Sequence, residues 1–211
     1  MRTRVKICGV KSVEDLHMVV EAGVDAVGFV VDVPSSPRSL APSEARSLVR
    51  ATPVFVETVA VTVPRSVDHL KKIVDLVNPD AVQVHGLRVN GELRDAVAGV
   101  KLIAAVQATQ SSPELALEVA SYCDAILVDT PGEMGGTGRT HDWSISRKIR
   151  DLVHPKPLIL AGGLNAGNVK EAIRVVRPFA VDVSSGVEAK PGVKDRLKVF
   201  EFVRSVMEAG V

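Results

Sequence analysis

Cys8 closes the run RVKIC and Asp129 closes the run AILVD, a thiol and a carboxyl each ending a short apolar segment. Three glycine-bearing segments accompany them: GGTGRTHDW at 135–143, LAGGLNAGNV at 160–169 and DVSSGVE at 182–188. The last two each follow an apolar β-branched run and precede a helical pattern, where backbone N–H groups and the positive end of a helix hold phosphate. A phosphate cradle with a thiol on one flank and a carboxyl on the other suits acid–base chemistry on a small phosphorylated molecule.

Those residues need a scaffold, and periodicity supplies one. Short strand-like runs alternate with amphipathic stretches eight times. The strands are expected at 4–8, 26–31, 54–61, 81–85, 101–106, 125–129, 157–161 and 180–184. The helices are expected near 12–22, 42–50, 65–77, 91–98, 113–121, 144–152, 166–176 and 194–208. Strict alternation means parallel strands with helical crossovers. Eight such units in 211 residues predict an α/β fold, a single-domain (β/α)8 TIM barrel over residues 1–211. An open doubly wound sheet of eight strands is the competing architecture. The glycine-rich stretch 130–143 is expected to be a mobile loop.

Alternation within strands then assigns faces. Val5 and Ile7 face the helices, leaving Arg4, Lys6 and Cys8 toward the barrel axis; Gln83, His85, Asp129 and Asp182 fall on the same inner face. Polar groups there are costly unless paired or used. In a barrel the C-terminal strand ends form the catalytic face, and the loops after strands 7 and 8 commonly bind phosphate.

Composition narrows the function classes. Net charge is +1 and aromatics are 3%, which leaves neither an electrostatic footprint nor stacking platforms for nucleic acid. The longest apolar runs fall short of the roughly 18–20 residues that span a bilayer. No signal-peptide pattern follows the charged start MRTRVK, and two cysteines do not make a disulfide framework, so a cytoplasmic protein is expected. Monomer and homodimer both remain open.

KICG, SPR at 36–38, VQVHG at 82–86, LVDT at 127–130, GGTGRTHDW, LAGGLNAGNV and DVSSGVE, in that order, resemble phosphoribosylanthranilate isomerase of tryptophan (aromatic amino acid) biosynthesis. The likeness runs from residue 4 to about 195. It implies an Amadori rearrangement of phosphoribosylanthranilate with no cofactor and no metal. By similarity Asp129 is the general acid that opens the furanose ring and Cys8 the general base that takes the C2 proton. It further implies that Arg38 recognises the anthranilate carboxylate, that His85 and Asp182 contact the substrate, and that Gly162, Gly163, Ser184, Ser185 and Gly186 cradle its phosphate. The acid needs an apolar or anion-rich setting to raise its pKa, and the base needs a nearby cation, for which Lys6 is the candidate. Two departures stand out: His141 occupies a position that is commonly aromatic, and VAVTVPRS replaces a glycine-and-aromatic version of strand 3.

Each residue also has a plainer reading. Taken alone, Cys8 is a small buried hydrophobe, and Cys123 keeps that reading. Lys6 and Asp182 make a structural ion pair across adjacent strands, His85 caps a loop, Arg38 is solvated, and Trp143 packs at a helix start. His17, His69 and His154 lack metal-ligand spacing and are expected on the surface. Two further functions compete: the analogous isomerase of histidine biosynthesis, which resembles a two-aspartate site and which Cys8 disfavours, and a catalytically silent phosphate-binding barrel.

Overall fold

The computed structural model describes residues 2–132 and 140–209, so GGTGR at 135–139 lies outside the described residues. Numbering only the barrel strands, β1 is Arg4–Cys8, β2 Ala26–Val31, β3 Glu57–Thr62, β4 Ala81–Val84, β5 Lys101–Gln107, β6 Ala125–Asp129, β7 Leu158–Leu160 and β8 Ala180–Val183. The crossover helices are α1 Val13–Glu21, α2 Pro42–Ala51, α3 Val67–Val77, α4 Gly91–Ala96, α5 Ser112–Val119, α6 Trp143–Val153, α7 Val169–Val176 and α8 Arg196–Ala209. Each strand pairs in parallel with its sequence neighbour, and β1 pairs with both β2 and β8, so the sheet closes. The eight-unit barrel is observed, and the open sheet is not.

Period-two patterning separates two apolar layers, as alternation requires. Val5, Ile7, Val82, Val84, Ile126, Val128, Val181 and Val183 join the large core between sheet and helices. A smaller cluster, including Val59, Val61, Ala81, Ile103, Leu127, Ile159 and Ala180, fills the barrel axis. The floor is therefore packed, and polar inward residues sit above it.

Helix starts follow their caps. Ser12 Oγ accepts from the Asp15 N–H at 3.0 Å and Ser66 Oγ from the His69 N–H at 3.1 Å. At the opposite rim a device repeats that the strand pattern alone does not reveal. Asp25, Asp80 and Asp124 each precede an even strand and accept an N–H from the odd strand beside it: Val5 at 2.8 Å, Thr58 at 2.8 Å and Leu102 at 2.7 Å. These carboxylates pin three strand starts on the face associated with stability rather than chemistry.

Two expectations need correction. The third strand starts at Glu57, not 54. Residues Val54 and Phe55 lie in a turn, 81% and 100% exposed, with Phe55 at φ 71°. The β-branched run there has nothing to pack against. The last helix starts at Arg196, because a 3-10 turn at Ser185–Val187 and a hairpin pairing Glu188–Lys190 with Val193–Lys194 intervene after β8.

Candidate active site

A cavity of about 770 Å³ opens at the C-terminal ends of the strands. Cys8 from β1, Arg38 from the loop after β2, Gln83 and His85 from β4 and its end, Asp129 from β6 and Asp182 from β8 all line it. So do Gly162, Ser184, Ser185 and Gly186. Gly163 is not among the lining residues; its carbonyl accepts from Asn168 Nδ2 at 2.9 Å.

The phosphate-side loops are shaped by missing side chains. A Cβ on Gly162, where φ is +89°, would stand 2.1 Å from Thr130 Oγ1, and one on Gly186 would stand 1.9 Å from the Leu164 carbonyl oxygen. Only glycine lets these backbones approach so closely. Between them, Ser184 Oγ is buried and has no hydrogen-bond partner among the described residues, as expected of a donor awaiting an anion.

Asp129 is half-buried, and this desolvation, helped by the nearby Asp182 carboxylate, raises its pKa to about 6. The Thr130 N–H, donating to Oδ1 at 2.8 Å, and Lys6 work in the other direction. The apolar setting that an acid needs is present.

Cys8 departs from expectation. Burial raises its thiol pKa, and Lys6, Lys194 and Arg38 only partly offset this, with Asp182 opposing them. Lys6 does not bring the thiol below its ordinary range: burial outweighs it, and the Asp182 carboxylate, 3.0 Å from its ammonium, works against it. Burial alone would lower the Lys6 pKa; Asp182 and Cys8 outweigh it and raise the pKa above its ordinary value. The ion-pair reading of Lys6 and Asp182 is thus correct as geometry.

Arg38 is 7% exposed, which overturns the solvated-loop reading. Its Nε and Nη2 donate to Glu188 Oε1 and Oε2 at 2.8 and 2.7 Å. Two N–H bonds of the five are taken; the rest of the fork remains for another carboxylate. Glu188 also accepts from Lys194 Nζ at 3.1 Å. Neither Glu188 nor Lys194 was assigned a role from sequence: Glu188 lies within DVSSGVE, but nothing local to Lys194 signals that a hairpin folds it back under β1.

His85 is neutral. Burial and the neighbouring Lys6 lower its pKa to about 4. The Gln83 amide lies within hydrogen-bond distance of the ring, Nε2 to His85 Nε2 at 2.7 Å. His141 bridges Thr130 Oγ1 at 3.0 Å and Ser146 Oγ at 2.6 Å, tying the loop after β6 to α6. Elsewhere Cys123 is buried and Trp143 opens α6 against the core. His17 and His154 are exposed, whereas His69 is paired with Asp32 Oδ2 at 2.7 Å and is not a free surface residue.

The assembled groups can give a proton from one side of a bound molecule and take one from another, with anion donors at two separate ends. Comparison with known proteins identifies the family. The family model described as N-(5'-phosphoribosyl)anthranilate (PRA) isomerase matches residues 5–205. Relatives named N-(5'-phosphoribosyl)anthranilate isomerase include that of Methanothrix thermoacetophila, 46% identical over 97% of this chain and 98% of its own. That of Haloferax volcanii is 47% identical over 98% and 94%. The crystal structure of phosphoribosyl anthranilate isomerase from Thermotoga maritima superposes with a TM-score of 0.88 at 41% identity, covering 98% of this chain and 99% of the other. A second, in complex with reduced 1-(o-carboxyphenylamino)-1-deoxyribulose 5-phosphate, gives 0.85 at 39% identity over the same shares. This chain belongs to the N-(5'-phosphoribosyl)anthranilate isomerase family and is an isomerase.

Proposed function

We propose that this isomerase converts N-(5'-phosphoribosyl)anthranilate into 1-(2-carboxyphenylamino)-1-deoxyribulose 5-phosphate, an Amadori rearrangement in tryptophan biosynthesis. The observation that carries the proposal is one cavity lined at once by Cys8, Asp129, Arg38 and the glycine turns after β7 and β8. A related isomerase crystallised with a reduced form of that ketose supports a small phosphorylated ligand.

In this reading the phosphate settles on the N–H groups around Gly162, Ser185 and Gly186, and the Ser184 hydroxyl gains its missing partner. The unused side of the Arg38 fork takes the anthranilate carboxylate. Protonated Asp129 gives its proton to the furanose ring oxygen, the C1–O bond breaks, and the nitrogen lone pair forms an iminium. That cation acidifies the adjacent C2–H. The Cys8 thiolate removes this proton, and the enolamine tautomerises to the ketone. One proton is given and one taken, so the reaction is balanced without oxidant, reductant or cofactor. Neutral His85 orients the sugar hydroxyls, and Asp182 contacts the open chain while holding Lys6. Free thiols and a small soluble substrate suit the cytoplasm.

The test follows loss of phosphoribosylanthranilate fluorescence with wild type, Cys8→Ser and Asp129→Asn. Wild type turns over, and each variant loses roughly 10²–10⁴-fold in kcat. Full activity in Asp129→Asn removes its role as acid; no wild-type turnover, with substrate still bound, leaves a silent binding barrel.

A further inference from the structure

Lys194 is fully buried and unused by the scheme above. Its side chain is 0% exposed, and its ammonium donates to the Cys8 carbonyl at 2.6 Å, the Ser184 carbonyl at 3.2 Å and Glu188 Oε1 at 3.1 Å. Three donors meet three acceptors, so the group is saturated and fixed in one place. Those acceptors come from the end of β1, the end of β8 and the hairpin that follows, so one nitrogen joins the strand carrying the thiol to the loop facing the phosphate.

Charges around the thiol make its role specific. Lys6 and Asp182 form a one-to-one pair at 3.0 Å. Arg38 and Lys194 instead share the single carboxylate of Glu188, at 2.7 and 3.1 Å. Burial lowers the Lys194 pKa and Glu188 works against that; with both cations charged, the trio carries one net positive charge beside Cys8. Both of its cations favour the Cys8 thiolate, and Cys8 in turn favours the charged form of Lys194. A cation in a dry site acts far more strongly than one in water.

We propose that Lys194 is a positioning residue for the base: its ammonium fixes the Cys8 peptide through the carbonyl and supplies, with Arg38, the positive field in which the thiolate forms. The proposal rests on Cys8 being the base.

The experiment uses a Cys123→Ser background, in which Cys8 is the remaining thiol. The rate of Cys8 alkylation by iodoacetamide is measured against pH, beside kcat and KM. Lys194→Met leaves Arg38 and Glu188 as a neutral bidentate pair, so no buried charge is orphaned. Its alkylation midpoint rises by about one pH unit or more, and kcat falls roughly tenfold while KM moves little. Glu188→Gln frees the second positive charge and moves the midpoint downward. Opposite shifts are the signature of charge, since loosened packing does not change sign with the residue removed. An unchanged midpoint in Lys194→Met, or shifts in the same direction for both variants, overturns the proposal. Retained activity in Cys8→Ser would instead overturn the base itself, an outcome the thiol titration does not depend on.

Discussion

Burial raises Asp129 to about 6 and lifts Cys8 above the usual thiol range, so at neutral pH an ionised carboxylate faces a neutral thiol. The proposed chemistry needs the reverse, a protonated acid and a thiolate. Molecules with the protons so exchanged are a minority, but between the two pKa values their share does not change with pH. The expected profile of kcat/KM is therefore a plateau that falls below about pH 6 and again in the alkaline range, the lower limb following Asp129 and the upper one Cys8. Comparison of the upper limb with direct titration of the thiol checks this; a lower limb that coincides with the thiol titration would contradict it. His141 acts at the same scale. Its imidazole holds the Thr130 hydroxyl, and the Thr130 N–H holds Asp129, so the departure from an aromatic residue touches the acid through one intermediary.

Strands place these groups by parity. A β1 running Arg4–Cys8 with Val5 and Ile7 outward has no choice but to turn Lys6 and Cys8 inward, and this much was legible from alternating polarity. The room for the sulfur is set by the neighbouring strand. Cys8 pairs with Gly28 of β2, and a Cβ there would stand 2.9 Å from Sγ and 3.1 Å from the Cys8 Cα. Gly28→Ala is expected to displace the thiol and lower kcat by at least tenfold while the barrel still folds, with the rate and the circular dichroism measured together. Unchanged kcat would show that β2 yields instead. What was not legible depends on partners distant in sequence. Lys194 meets the Cys8 carbonyl 186 positions away, Glu188 meets Arg38 150 away, and neither pairing leaves a local pattern. The turn at Phe55 was missed for the opposite reason: its residue types favour a strand, yet the barrel floor ends before reaching it.

For the whole molecule, the site subtracts from stability in a pH-dependent way. The folded state holds the Asp129 proton more tightly than the unfolded chain, so stability falls as pH rises from about 3.8 to about 6. His85 contributes with the opposite sign: its neutral form is buried, and stability falls as pH drops from about 6.5 to about 4. The two slopes oppose one another across most of this window. Asp129→Asn removes the first, so the variant should be more stable than wild type by about 1–3 kcal/mol at pH 8, with the advantage gone near pH 4. Urea unfolding at the two pH values measures it, and an equal gap at both would exclude ionisation as the cause. Closure of the sheet through β1 also has a consequence for how the chain can be divided. The segment through β4 carries the thiol, the guanidinium and the imidazole, while the segment from β5 onward carries the carboxyl and the glycine turns. Cut between α4 and β5, after Ala96 and before Lys101, each fragment would own half a reaction and an unmatched sheet edge at either side, so the same act of docking that satisfies those edges would switch the chemistry on.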